Sequence, residues 1–106
     1  MMIKPDDKRS HPRVPIKLVV DLTATDDKTK RLAMAKDVSL GGMFVEVSKP
    51  LPLGKSVVVG ISTSGGPAPI LLPGTVRWNH PTGIGIEFGP LGAREKSLIL
   101  GIYRRR

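Results

Sequence analysis

The sequence predicts an all-β fold: a six-stranded antiparallel β-barrel with a C-terminal α-helix. Three observations carry that prediction. Short apolar stretches recur with a period of two, the spacing of strands that bury one face. Turn residues separate those stretches at regular intervals, as in small barrels. Helical propensity and periodicity are confined to the last segment.

The clearest strand is Val14 to Leu22. Val14, Ile16, Leu18, Val20 and Leu22 share one side, and Lys17 and Asp21 take the other. Thr23 to Lys30 is polar and reads as the tip of a hairpin. Arg31 to Ser39 is a weaker second strand carrying Leu32 and Met34, separated by Gly41 and Gly42 from a third strand, Met43 to Ser48. Pro50 and Pro52 stiffen the turn Lys49 to Gly54. Lys55 to Ser62 is the fourth strand, and Ser62 to Pro69 a flexible loop. Ile70 to Asn79 is the fifth, where Pro73 and Gly74 predict a bulge or an edge position, because proline cannot donate to a ladder. His80 to Gly83 turns the chain into the sixth strand, Ile84 to Gly89. There Ile84, Ile86 and Phe88 face inward, and Gly83, Gly85 and Gly89 leave room for close backbone approach. The expected organisation is a basic arm over residues 1–13, a barrel over 14–89, a helix over 90–103 and a basic tail over 104–106. Pro90 suits the helix start, and Leu91, Leu98 and Ile102 lie near one helix face.

Composition narrows the function classes. A chain of 106 residues supports one domain with a single modest core. It has no apolar run near the length of a membrane span and no apolar signal region at its start, so a cytoplasmic protein is expected. Without cysteine there are no disulfides and no thiolate metal sites. Lys plus Arg number 17 against 9 acidic residues, a formal charge of +8. That balance suits an anionic partner, whether nucleic acid, nucleotide or an acidic protein surface, and equally a solvated surface that merely happens to be basic. Enzyme chemistry finds no support. There is no histidine pair at metal spacing, no G-x-S-x-G and no phosphate loop, and the histidines His11 and His80 stand in separate loops. A binding module is expected, with no metal and no cofactor.

Two short elements point to the ligand. In "KRSHPR", Arg9 and Arg13 stand just ahead of the first strand with Pro12 between them, which favours a stiff extended segment over a helix. Two guanidinium forks at a set separation suit a compact ligand rich in anionic oxygens, and an arginine also pairs with the O6 and N7 edge of guanine. Taken alone, R-x-x-x-R is better explained by arginines that lie over apolar surface or pair with Asp6 and Asp7, since the pattern is common in basic chains. In "KDVSLGG", Asp37, Ser39 and Gly42 have the spacing D-x-S-x-x-G. A carboxylate can accept from the N1 and N2 donors of guanine, a hydroxyl can donate or accept, and a glycine admits a sharp turn and a close ligand. Alone, the same residues also build an ordinary turn.

In combination and in this order, the two elements resemble the PilZ domain family. "TGIGIEFGPL", Thr82 to Leu91, is similar to that family's late glycine-rich strand leading into its closing helix. The resemblance spans about Lys8 to Tyr103 and implies a six-stranded barrel that binds the bacterial second messenger cyclic di-GMP. It implies that Arg9 and Arg13 grip bases and phosphates, that Asp37 and Ser39 read the guanine edge, and that Gly42 shapes the contact. Lys8, Ser10, His11 and Gly41 become secondary contacts. In the family, the residue ahead of the first arginine, here Lys8, influences whether one nucleotide or a stacked pair binds. The function implied is a receptor that changes conformation on binding and signals to a downstream protein partner.

Two alternatives are a protein-interaction barrel that ignores nucleotides and a small nucleic-acid-binding barrel. The latter normally exposes several aromatics, whereas this chain has only Phe44, Trp78, Phe88 and Tyr103, with no basic–aromatic interleaving. Trp78 is read as core or barrel rim, with base stacking as its functional alternative, and His80 as a surface turn residue.

Overall fold

The structure is a computed structural model and describes residues 13–26, 28–62 and 69–105. Its elements are β1 (Val14–Ala24), β2 (Lys30–Val38), β3 (Gly42–Glu46), β4 (Ser56–Ile61), β5 (Ile70–His80), β6 (Gly83–Phe88) and α1 (Ala93–Arg105). The strands form a closed antiparallel barrel in the order β1-β2-β3-β6-β5-β4, with β4 pairing back onto β1. Closure removes the unpaired edges that an open sheet would expose.

The inward faces are mostly those the alternation predicts. Val20 and Leu22 of β1, and Ile84, Ile86 and Phe88 of β6, are buried. The second strand has the opposite phase to its apolar residues. Ala33 and Ala35 point into the barrel, while Leu32 and Val19 stand on the outer face at 70% and 55% exposure. Cross-strand pairing explains this: Val20 lies opposite Ala33 and Leu18 opposite Ala35, so alanine makes room where β1 supplies the larger side chain. A narrow six-stranded interior filled from every side needs such small–large alternation.

Two register shifts shape the outer face of the barrel. Between Ala35 and Asp37 the pairing of β2 slips against both neighbours, so that Lys36 is an extra residue relative to β3. Strict alternation from Ala33 and Ala35 would aim Asp37 into the core. The bulge instead turns Asp37 outward and sends Val38 inward, where it is fully buried. The same happens in β5 between Val76 and Trp78, so Trp78 pairs with Gly85 on the outer face.

Pro73 stands in neither a bulge nor an edge strand. The pairing of β5 with β6 starts at Gly74, and Pro73 contributes only its carbonyl, which accepts from Gly89 N–H at 2.9 Å. In a strand, N and O of one residue point to the same side. The missing donor therefore faces Gly89, just past the end of β6, so proline forgoes one reciprocal bond at the margin of the ladder and none within it.

The helix begins at Ala93, three residues later than expected, with Lys96 N–H bonding Gly92 carbonyl at 3.0 Å as its first turn closes. Ile99 is its fully buried residue, flanked by partly buried Leu98 and Ile102. Among the described residues, no helix is long and apolar enough to cross a membrane.

Gly42 opens β3 for a steric reason. Its φ is not in the left-handed region, but a Cβ there would run into the carbonyl oxygen of Ile86 on β6. Backbone of a paired strand cannot withdraw as a flexible side chain can. Gly42→Ala is therefore expected to destabilise the barrel by about 1–3 kcal/mol, the usual cost of overpacking, read as a lower urea midpoint at unchanged slope.

Candidate functional site

Asp37 on β2, Phe44 on β3, Gly85 on β6 and Trp78 on β5 all face outward from adjacent strands. With Arg13, Asn79 and His80 they line a groove of about 330 Å³. The two bulges supply its polar and aromatic walls, and the glycine supplies its floor. A Cβ on Gly85 would collide with Cε3 of Trp78, so the indole can lie across β6 only because residue 85 has no side chain.

Arg13, one residue ahead of β1, is held from two directions. Its Nη1 donates to Asp37 Oδ1 at 2.6 Å, and its guanidinium carbon lies 5.4 Å from the centroid of the Trp78 ring. The first contact is a charge-assisted hydrogen bond and the second a cation–π contact; both strengthen as water is excluded. The Arg13 side chain is only 14% exposed. Its Nε is buried and has no hydrogen-bond partner among the described residues. A buried donor left unmatched costs free energy.

Asp37 is positioned by β3 as well as by Arg13. Its Oδ1 also accepts Phe44 N–H at 3.2 Å. Both of these bonds use one oxygen, which leaves Oδ2 without a partner among the described residues.

Ser39 and Gly42 stand outside the groove. Ser39 is fully buried. Its Oγ accepts the N–H groups of Gly41 at 3.0 Å and Gly42 at 3.2 Å, and its own N–H donates to Gly42 carbonyl at 2.8 Å. Gly41 carbonyl in turn accepts Phe88 N–H at 2.9 Å, which ties the β2–β3 turn to β6. These bonds satisfy the backbone of a tight connection that would otherwise bury unpaired groups. Of the residues picked out by the motifs, the structure thus brings Arg13 and Asp37 together and sets Ser39, Gly41 and Gly42 behind them as the turn. Lys8, Arg9, Ser10 and His11 lie outside the described residues.

Three aromatic residues of the groove carry no motif. Trp78 is neither core nor incidental rim: at 46% exposure it is the wall against which Arg13 rests. His80 ends β5 and meets Phe44 edge-on, with ring centroids 5.5 Å apart at 85°. The usable sequence signal was the alternation W-x-H facing G-x-G across the Pro81 turn. Residues 78 and 80 share a face, opposite glycines 85 and 83. Arg77, next to Trp78, pairs with Glu87 at 2.8 Å in an exposed bridge outside the groove. Among the described residues, no cluster of three His, Cys, Asp or Glu is placed to hold a metal ion.

With the barrel, its order and the groove established, the comparisons with known proteins converge. The PilZ domain profile matches residues 7–105. The chain belongs to the PilZ domain family. Its fold is similar to the PilZ domain of CeSA from a cellulose-synthesizing bacterium (18% identity, TM-score 0.73, covering 87% of this chain and 98% of that one). It is similar to the PilZ domain of Escherichia coli YcgR, solved with cyclic di-GMP (15% identity, TM-score 0.70, covering 92% of each chain). It also resembles Borreliella burgdorferi PlzA, likewise in complex with cyclic di-GMP (19% identity, TM-score 0.70), where 92% of this chain corresponds to 42% of the larger protein. No curated protein matches the sequence.

Trp78 is the single tryptophan, so its fluorescence reports the groove directly. Gly85→Ala should lift the indole off β6 while the barrel persists. The expected signature is a red-shifted emission more accessible to acrylamide, with an unchanged far-ultraviolet circular dichroism spectrum.

Proposed function

We propose that this protein is a cytoplasmic cyclic di-GMP receptor, a binding switch with no catalytic step, whose groove takes one guanine-bearing half of the ligand. The observation that carries the reading is Arg13: a nearly buried guanidinium, set by Asp37 and Trp78 in the lining of an open groove in a PilZ barrel. Such a fork is ready for a phosphate or for the O6 and N7 edge of guanine, with little side-chain entropy left to lose. That two similar folds were solved with cyclic di-GMP supports the same ligand class here.

The roles divide accordingly. Arg13 and Arg9 bind phosphate and base. Asp37 accepts from the guanine N1 and N2 donors through Oδ2, since Oδ1 is already engaged. Ser39 acts from behind, holding the turn that fixes Asp37 against β3, and Gly42 keeps that turn close to β6. Trp78 offers a ring on which a base can stack. The bound dianion changes the charge displayed around the groove, and a downstream protein partner reads that change.

Calorimetric titration with cyclic di-GMP, using GTP as control, tests this reading, with Trp78 fluorescence as a second observable. Saturable, selective binding is expected in the wild type. Arg13→Ala and Arg9→Ala should each weaken it by at least about a hundredfold, the worth of two hydrogen bonds to a charged group, without loss of secondary structure. Equal affinity in wild type and both variants would falsify the assignment. No heat from the wild type at high ligand concentration would leave a protein-interaction barrel as the better reading.

A further inference from the structure

We propose that His80 is a specificity-determining residue of the groove, presenting Nε2–H to the O6 atom of a bound guanine. The proposal rests on the cyclic di-GMP reading above and adds to it the group that tells guanine from adenine.

The hydrogen-bond geometry assigns the tautomer. His80 Nδ1 accepts the backbone N–H of Thr82 at 3.3 Å and lies 3.2 Å from Thr82 Oγ1. A backbone amide can only donate, so Nδ1 carries its lone pair and the ring proton sits on Nε2. With Nδ1 turned into the β5–β6 connection, Nε2 occupies the far edge of the ring and has no partner among the described residues. The perpendicular contact with Phe44 sets the plane of the imidazole. Its rotation, its proton and its plane are therefore all specified before any ligand arrives.

The surroundings favour a base over a phosphate as the recipient of this donor. The groove beside His80 is walled by Phe44 and Trp78 and floored by Gly85, a flat apolar lining suited to a π face. The cation that would hold a phosphate, Arg13, is instead engaged by Asp37 and by the face of Trp78. Guanine offers O6 as an acceptor where adenine offers its N6 amino donor. A fixed N–H matches the first and opposes the second. Asp37 Oδ2, on β2 at the opposite wall, supplies the complementary acceptor. A donor and an acceptor on separate strands thus define the base together. Sites built to pair a ligand's polar groups reject analogues that leave those groups unmatched.

The test compares cyclic di-GMP with its adenine analogue, cyclic di-AMP, on the wild type, His80→Phe and His80→Gln. Phenylalanine keeps a ring against Phe44 and removes both nitrogens, while glutamine restores a donor. His80→Phe is expected to lose about tenfold in affinity for cyclic di-GMP, the worth of one hydrogen bond, with cyclic di-AMP little changed, and His80→Gln should recover most of the loss. Equal losses for both ligands would place His80 on the shared sugar–phosphate and overturn the proposal, as would unchanged selectivity. Nitrogen-15 spectra of the imidazole in the free protein give a readout that needs no ligand: a proton on Nε2 is expected, and a proton on Nδ1 overturns the assignment. Failure of the wild type to bind either nucleotide would instead bring down the receptor reading, and this one with it.

Discussion

The groove depends on how Arg13 is held. Its guanidinium is gripped by a carboxylate on β2 and backed by an indole on β5, two strands that are not neighbours in the barrel. Neither partner would be on the outer face if its strand alternated strictly. A one-residue bulge at Lys36 turns Asp37 out of the core, and another at Arg77 does the same for Trp78. Val38 and Val76 beside the bulges stay in the interior, so the core is filled without loss. Local departure from regular pairing is here the device that aims functional side chains.

Glycine completes the arrangement by subtraction. The outer face of β6 carries Gly83 and Gly85, which lie opposite Glu46 and Phe44 on β3 and opposite His80 and Trp78 on β5. A side chain at 85 would displace the indole, and one at 83 would strike the Val45 carbonyl. The room these glycines leave is thus taken up by the Trp78 ring and by β3 backbone, which seats the aromatic wall of the groove closely against the barrel. Pre-organisation of this kind lowers the entropy lost on binding.

The D-x-S-x-x-G element has a divided role. Its aspartate faces the groove, while its serine and glycine are buried in the turn behind, bonded to each other and to β6. The spacing of that motif then reflects the geometry of a strand end as much as contact with a ligand: the carboxylate can stand against β3 only if the next residues close tightly. The mutual support of Asp37, the Phe44 amide and Arg13 makes the pair a structural element as well as the centre of the proposed site. Removing one charge would strand the other in a mostly buried position.

Much of this protein was legible in its sequence. Alternation specified β1 and β6 with their inward faces, because period-two burial is a property of any strand with one wet side. The paired motifs located Arg13 and Asp37 through their combined resemblance to the PilZ family, since either element alone also fits an ordinary surface or turn role. Tertiary structure decided the rest. Leu32 and Met34 look like the core of β2, yet their phase was set by what β1 places opposite them. Trp78 and His80 carry no motif, and they reach the groove only through a bulge whose register depends on β6. A sequence records the period of a strand, but a bulge changes that period by one residue at a point chosen by pairing and closure. The aromatic half of the groove is for that reason a product of the closed barrel, and the charged half a product of the chain.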